Sequence, residues 1–146
     1  MVYSCDTSQT FKMAYSLGID IGSVNAKLAL IDHDDRVILL DSEKVTSSAR
    51  AAVASLIARL AEKHRLPDIQ TVATSGSAAS IVPEELDWSE YSNSLSIASG
   101  ILHYHPEAKT IVQIGGQSSF VMELEDGLKK PWRVTSNPLC AAGTGM

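Results

Sequence analysis

Two glycine-containing turns in the sequence carry the residue types that bind phosphate. The segment Asp20-Ile21-Gly22-Ser23 follows an apolar run, and Lys27 comes shortly afterwards. A turn with Gly and Ser can point backbone N–H groups and a hydroxyl at a phosphate, while the Asp carboxylate can hold Mg²⁺ through water. The same residue types also form ordinary tight turns, which is the alternative interpretation of this segment taken alone.

The second turn begins at Gln113 and runs through Gly115, Gly116 and Gln117, again at the end of an apolar run. Two such loops, each opening a sheet, would face each other across a cleft and hold the phosphates of a nucleotide from both sides. Glycines can also simply relieve crowding at a strand end. The two loops together therefore indicate a nucleotide site more strongly than either does alone.

A cysteine followed by small residues is the third candidate. Cys140 stands before two alanines and then Gly143, Thr144 and Gly145. A thiolate at the start of a helix is stabilised by the helix dipole, and small neighbours leave room for a bulky ligand or a second subunit. This pattern suits a metal cluster or a reactive thiol. A buried, inert cysteine beside a glycine turn is the alternative.

The elements that must position these residues follow from the periodicity. Three β-rich runs between residues 15 and 45, joined by short turns, predict consecutive antiparallel strands. A helix capped by Ser47 or Ser48 comes next. Its apolar residues at helical spacing are Val53, Leu56, Ile57, Leu60 and Ala61.

The rest of the chain alternates between strands and helices. A buried strand after Ile69, a second helix over about 91–104 and a strand over 109–116 are predicted. This order is that of a ribonuclease-H-like mixed sheet with flanking helices, in which crossovers place the later strands parallel to the first. A hairpin around Asp126-Gly127 would belong to a second sheet, and residues 139–146 resemble the opening of a helix.

Three segments are expected from this pattern. Residues 1–14 form a disordered leader, residues 15–112 a first subdomain, and residues 113–146 the incomplete start of a second subdomain. Trp88 and Trp132 are expected to be packing anchors.

Composition excludes several classes of function. The 146 residues carry a net charge of -5 with only 12 Lys and Arg, which gives no basic stripe for a nucleic acid. The apolar runs are too short to span a membrane, and no signal peptide opens the chain. Two distant cysteines, Cys5 and Cys140, make no disulfide framework, so a cytoplasmic location is expected.

The sequence resembles a known family at these same segments. The runs YSLGIDIGSVNAKLALID and KTIVQIGGQSS, with the closing CAAGTG, are similar to the ATP-dependent activators of 2-hydroxyacyl-CoA dehydratases and benzoyl-CoA reductases. The resemblance covers nearly all of residues 15–146. It implies the actin, sugar-kinase and heat-shock ATPase fold, truncated here at the start of the second subdomain.

The resemblance also implies cofactors and partners. The family uses ATP with Mg²⁺ and one four-iron, four-sulfur cluster shared across a homodimer, and it passes an electron to an acyl-CoA dehydratase or reductase. By position, Asp20 would be catalytic and Cys140 would be a cluster ligand. The residues that would contact the cofactors are Gly22, Ser23, Lys27, Gly115, Gly116, Gln117, Gly143, Thr144 and Gly145.

The resemblance leaves part of the site outside this sequence. The second cluster ligand and the adenine-binding segment are expected beyond Met146, so ATPase activity is expected of the full-length protein and not of these residues alone. Gln113 stands where the family has an Asp, and a neutral amide is a poorer ligand for Mg²⁺. The alternatives are a kinase-like ATP binder with a structural Cys140, and a degenerate nucleotide-binding or assembly domain.

Overall fold

A computed structural model describes residues 14–64, 68–114 and 119–137. The chain divides into two compact units, Met1–Glu90 and Tyr91–Met146. Nearly all of the predicted leader lies outside the described residues. The predicted limits of the two subdomains stay a prediction.

The first unit is built on a five-stranded mixed sheet. Strands β1 (Tyr15–Ile21), β2 (Asn25–Ile31) and β3 (Val37–Lys44) are antiparallel neighbours, as predicted. Helix α1 (Ala49–Lys63) leads to β4 (Ile69–Ser75), which pairs parallel with β1. The sheet order is β3-β2-β1-β4-β5.

A short strand that the sequence pattern did not indicate completes this sheet. After β4 come two 3₁₀ turns, Ala79–Ile81 and Glu84–Leu86, and then β5 (Ser89–Glu90), which runs parallel to β4. Two residues are too few to show a period of two, so periodicity could not reveal this strand.

Alternation along β1 and β2 separates a core face from an open face. The odd-numbered residues of β1 and the even-numbered apolar residues of β2 are buried. They share one core with residues of α1 because successive strand side chains point to opposite faces. Members of that core are Leu17, Ile19, Ile21, Ala26, Leu28, Leu30, Ala52, Leu56 and Leu60.

Helix α1 begins where the sequence predicted. The Ser48 hydroxyl accepts a hydrogen bond from the Ala51 backbone N–H at 3.1 Å, so Ser48 is the N-cap. Leu56 and Leu60 of the predicted stripe are buried, whereas Ala61 is exposed. Trp88 packs against the same core as a partly buried side chain, which confirms its role as a packing anchor.

The second unit combines one helix with a three-stranded antiparallel sheet. Helix α2 (Asn93–Tyr104) is capped by Ser92 and starts two residues later than predicted. Strands β6 (Thr110–Ile114), β7 (Ser119–Glu123) and β8 (Arg133–Asn137) pair in that order. The predicted hairpin between β7 and β8 is thus confirmed.

One expectation about the strands is wrong. The strand after the second helix was expected to lie parallel to the first strand of the chain, but β6 pairs antiparallel with β7 in the second sheet. An apolar run predicts a strand but does not predict which strand it pairs with. In this structure β5 already pairs with the free edge of β4. The core of this unit contains Ala98, Ile111, Met122 and Leu124, with Trp132 packed against it.

No helix in the described ranges is long and apolar enough to cross a membrane.

An ion-pair network joins α1 to β3. The Arg59 guanidinium lies 2.8 Å from a carboxylate oxygen of Asp41 and 2.6 Å from one of Glu43. It also donates to the Ser55 hydroxyl at 2.9 Å. The hydrogen bond from Arg59 lowers the pKa of the Asp41 carboxyl below its ordinary value.

This lowered pKa predicts acid sensitivity. Because Asp41 binds its proton less readily when folded, its contribution to stability is complete above about pH 4 and is lost as the pH falls through the lower, folded pKa. Arg59→Met should therefore lower the free energy of unfolding at pH 7. The further drop in that free energy on acidification should be smaller than in the wild type. Urea unfolding at several pH values between pH 7 and pH 2 measures both free energies. Lys130→Met, which breaks the exposed ion pair with Glu125, is the control. Identical acid profiles for wild type and Arg59→Met would contradict this prediction.

Candidate functional site

Asp20 and Lys27 meet on the open face of the first sheet. They are directly opposite residues of β1 and β2, and the Lys27 ammonium Nζ lies 3.0 Å from the Asp20 Oδ2 atom. Their side chains are 41% and 62% exposed, respectively. The sequence prediction grouped these two residues by spacing, and the antiparallel register brings their charged ends into contact.

The turn between them requires a glycine. The Gly22 backbone N–H donates to the Asn25 carbonyl oxygen at 3.1 Å, and a Cβ atom on Gly22 would lie only 2.7 Å from that oxygen. Gly22 therefore permits a tight turn, and its own N–H is used inside it. Ser23 is exposed, and its hydroxyl has no hydrogen-bond partner within the described residues. Solvent-borne groups can reach this hydroxyl.

A third chain segment borders this corner. In the parallel register Asp20 lies opposite Ser75, the last residue of β4. The Ala78 backbone N–H donates to the Ile21 carbonyl oxygen at 2.9 Å, which fixes the turn after β4 against the end of β1. This turn was not among the predicted site segments. The signal was present, because Ser75-Gly76-Ser77 follows a buried strand in the same way as the other two loops do.

The second predicted loop is described only at its start. Gln113 lies on β6 opposite Phe120 of β7 and is partly buried. The other predicted site residues lie outside the described residues and stay predictions; they are Gly115, Gly116, Gln117, Cys140, Gly143, Thr144 and Gly145.

One cluster of metal-binding residue types lies in the β2–β3 turn. Ligand atoms of Asp32, His33 and Asp34 lie within 4.8 Å of one another. The Asp32 carboxylate accepts hydrogen bonds from the Arg36 and Asp34 backbone N–H groups, each at 2.9 Å. The bond from Arg36 lowers the pKa of Asp32. The turn itself thus accounts for this cluster.

Comparison with known proteins finds relatives that are named as dehydratase activators. No family model matches it. The chain is 33% identical over 135 residues to the activator of lactoyl-CoA dehydratase from Anaerotignum propionicum, a match that covers 90% of this chain and 50% of the relative. It is 28% identical over 138 residues to the 2-hydroxyisocaproyl-CoA dehydratase activator of Clostridioides difficile, covering 90% and 48%. The chain spans about half the length of the curated relatives it matches.

Over that half, the chain is a homologue of the 2-hydroxyacyl-CoA dehydratase activators. Solved structures agree. The activator of 2-hydroxyisocaproyl-CoA dehydratase from Clostridium difficile, solved with bound ADPNP, matches with a TM-score of 0.72 at 25% identity. That match covers 90% of this chain and 48% of the activator.

Solved structures that are less than 25% identical to the chain support the fold. Component A of the Acidaminococcus fermentans (R)-2-hydroxyglutaryl-CoA dehydratase matches with a TM-score of 0.73 at 23% identity, covering 90% of this chain and 50% of that one. A Ppx/GppA protein of Aquifex aeolicus matches with a TM-score of 0.55 at 17% identity, covering 90% and 53%. The predicted actin and sugar-kinase fold class, a mixed sheet with flanking helices, is confirmed.

The exposure of the Asp20–Lys27 pair predicts that it adds little to stability. Ion pairs in water gain little because both charges remain hydrated. Asp20→Asn and Lys27→Met should each change the free energy of unfolding by about 1 kcal/mol or less. Urea denaturation measures this, and a loss well above that value for either variant would show that the pair serves the fold.

Proposed function

We propose that this chain is the part of an ATP-dependent activator of a CoA-ester dehydratase that holds the phosphates of ATP. The carrying observation is the exposed Asp20–Lys27 pair beside the Gly22 turn, in a chain 33% identical to such an activator. A homologous activator binds ADPNP, an ATP analogue, which supports the choice of ligand. A kinase of the same fold is not favoured, since the curated relatives reported above are activators.

The residues of the corner have distinct roles in this proposal. The Lys27 ammonium has three N–H donors and gives one to Asp20, so two remain for phosphate oxygens. Asp20 would hold Mg²⁺ through water and act as the catalytic carboxylate, and the free hydroxyl of Ser23 would donate to phosphate. Bound Mg²⁺ would supply charge neutralisation at the phosphates. Gly22 keeps the turn tight enough for these groups to converge.

The second loop is proposed to contribute phosphate contacts as well. Gly115, Gly116 and Gln117 would offer backbone and amide groups, and Gly143, Thr144 and Gly145 would add a further loop. Gln113 offers a neutral amide where a carboxylate would bind Mg²⁺ more strongly. We therefore propose that the protein binds ATP and hydrolyses it slowly.

The electron-transfer part of the proposal depends on Cys140. Thiolates are the ligands of iron–sulfur clusters, and Cys140 stands where the activators would place one in each subunit of a homodimer. Held by Cys140, such a cluster would supply electron transfer to an acyl-CoA dehydratase partner. A reducing cytoplasm would keep the thiol available.

Substitutions at the corner test nucleotide binding. In the natural full-length protein, Lys27→Met should weaken ADPNP binding at least about tenfold, because a charge-assisted hydrogen bond to phosphate is lost. Asp20→Asn should reduce the gain in affinity that Mg²⁺ provides. Titration calorimetry with and without Mg²⁺ measures both effects.

A matched variant controls for surface charge. Arg36→Met removes the exposed Arg36–Asp34 pair, 3.2 Å apart, at the opposite end of β2 and should leave ADPNP affinity unchanged. If the wild type fails to bind ADPNP, or if Lys27→Met and Arg36→Met behave alike, the proposed site is refuted.

The two cysteines test the cluster. Purified without oxygen, the natural full-length protein should contain iron and absorb visible light, and Cys140→Ser should lose both signals because a thiolate ligand is gone. Cys5→Ser, which changes the other cysteine of this chain, should keep them. Iron analysis and visible spectra decide, and an unchanged iron content in Cys140→Ser would contradict the assignment.

A further inference from the structure

The turn after β4 touches the backbone of β1 so closely that it requires a glycine. Gly76 has φ +108°, a conformation that side chains with a Cβ atom rarely adopt. A Cβ atom on Gly76 would also lie 2.5 Å from the Ile21 carbonyl carbon and 2.6 Å from the Ile21 nitrogen, and closer still to the carbonyl oxygen. All three are backbone atoms, so a clash could be relieved only by moving the strand or the turn.

The residue that Gly76 touches lies inside the proposed phosphate corner. Ile21 connects Asp20 to Gly22, and its side chain is fully buried in the core. Its backbone is paired with Ala26 of β2 on one side. On the other side the Ile21 carbonyl oxygen accepts the hydrogen bond from Ala78. Displacing Gly76 would therefore displace the peptide units that fix Asp20 and the Gly22 turn.

We infer that Gly76 is a positioning residue for the phosphate corner. It acts through the backbone of Ile21, and it allows the turn after β4 to hold Asp20 and Gly22 in place. This inference rests on the proposed function, because it assigns the contact to nucleotide binding.

A double-mutant cycle on the natural full-length protein tests the inference. Gly76→Ala should weaken ADPNP binding about tenfold or more, measured by calorimetry. If Gly76 acts through Asp20, Gly76→Ala should weaken ADPNP binding much less in the Asp20→Asn background than it does in the wild-type protein. Gly100→Ala is the matched control, because a Cβ atom on Gly100 in α2 would meet nothing within 4 Å. It should bind ADPNP as the wild type does.

A second measurement does not require Gly76→Ala to fold. In the wild type, the Ala78 amide that bonds to Ile21 should exchange more slowly with deuterium when ADPNP is bound. The Asp35 amide, bonded to Asp32 in the β2–β3 turn, should not change. Wild type that fails to bind ADPNP refutes the proposed function and this inference with it. If the wild type binds ADPNP, three results would each refute the inference alone. They are a normal affinity in Gly76→Ala, additive effects in the cycle and an unchanged exchange rate of the Ala78 amide.

Discussion

Burial of one face of β1 and β2 against α1 is the interaction on which the first unit depends. Ile19, Ile21 and Leu28 share a core with Leu56 and Leu60. Because side chains alternate along a strand, a shift of one residue would turn this apolar set toward water. The hydrophobic pattern thus sets the register of the hairpin, and the register sets which residues face outward.

The candidate site is a consequence of that register. With the flanking residues buried, Asp20 and Lys27 must lie on the open face, and antiparallel pairing puts them side by side. Both side chains keep access to water, so their contact requires little desolvation of either charge. Such a pair is suited to exchange partners with a bound ion or phosphate, whereas the Arg59 network, joined to β3 at the rim of the core, serves to hold α1 on the sheet.

Local sequence patterns were sufficient to predict most strands and helices and insufficient to predict which strands pair. The cap of α1, the three antiparallel strands and the β7–β8 hairpin follow from short-range patterns, and the structure confirms them. The place of β6 does not, because an apolar run of five residues fits either sheet. β5 was missed for a related reason, since two paired residues leave no periodic trace. At the site, the first loop was predicted by residue type, and the turn after β4 was overlooked.

The sequence by itself determined the longer strands, the two α-helices and the likeness to the dehydratase activators, and it predicted the two phosphate-type loops. Each of these depends on residues close together along the chain. Tertiary structure decided the rest. Parallel pairing of β4 with β1 brings Gly76, 55 residues after Ile21 in the chain, against the backbone of Ile21. That contact depends on the register between strands that are distant in sequence, so no local pattern encodes it. Gly76 reads as an ordinary turn residue until the two strands are placed side by side.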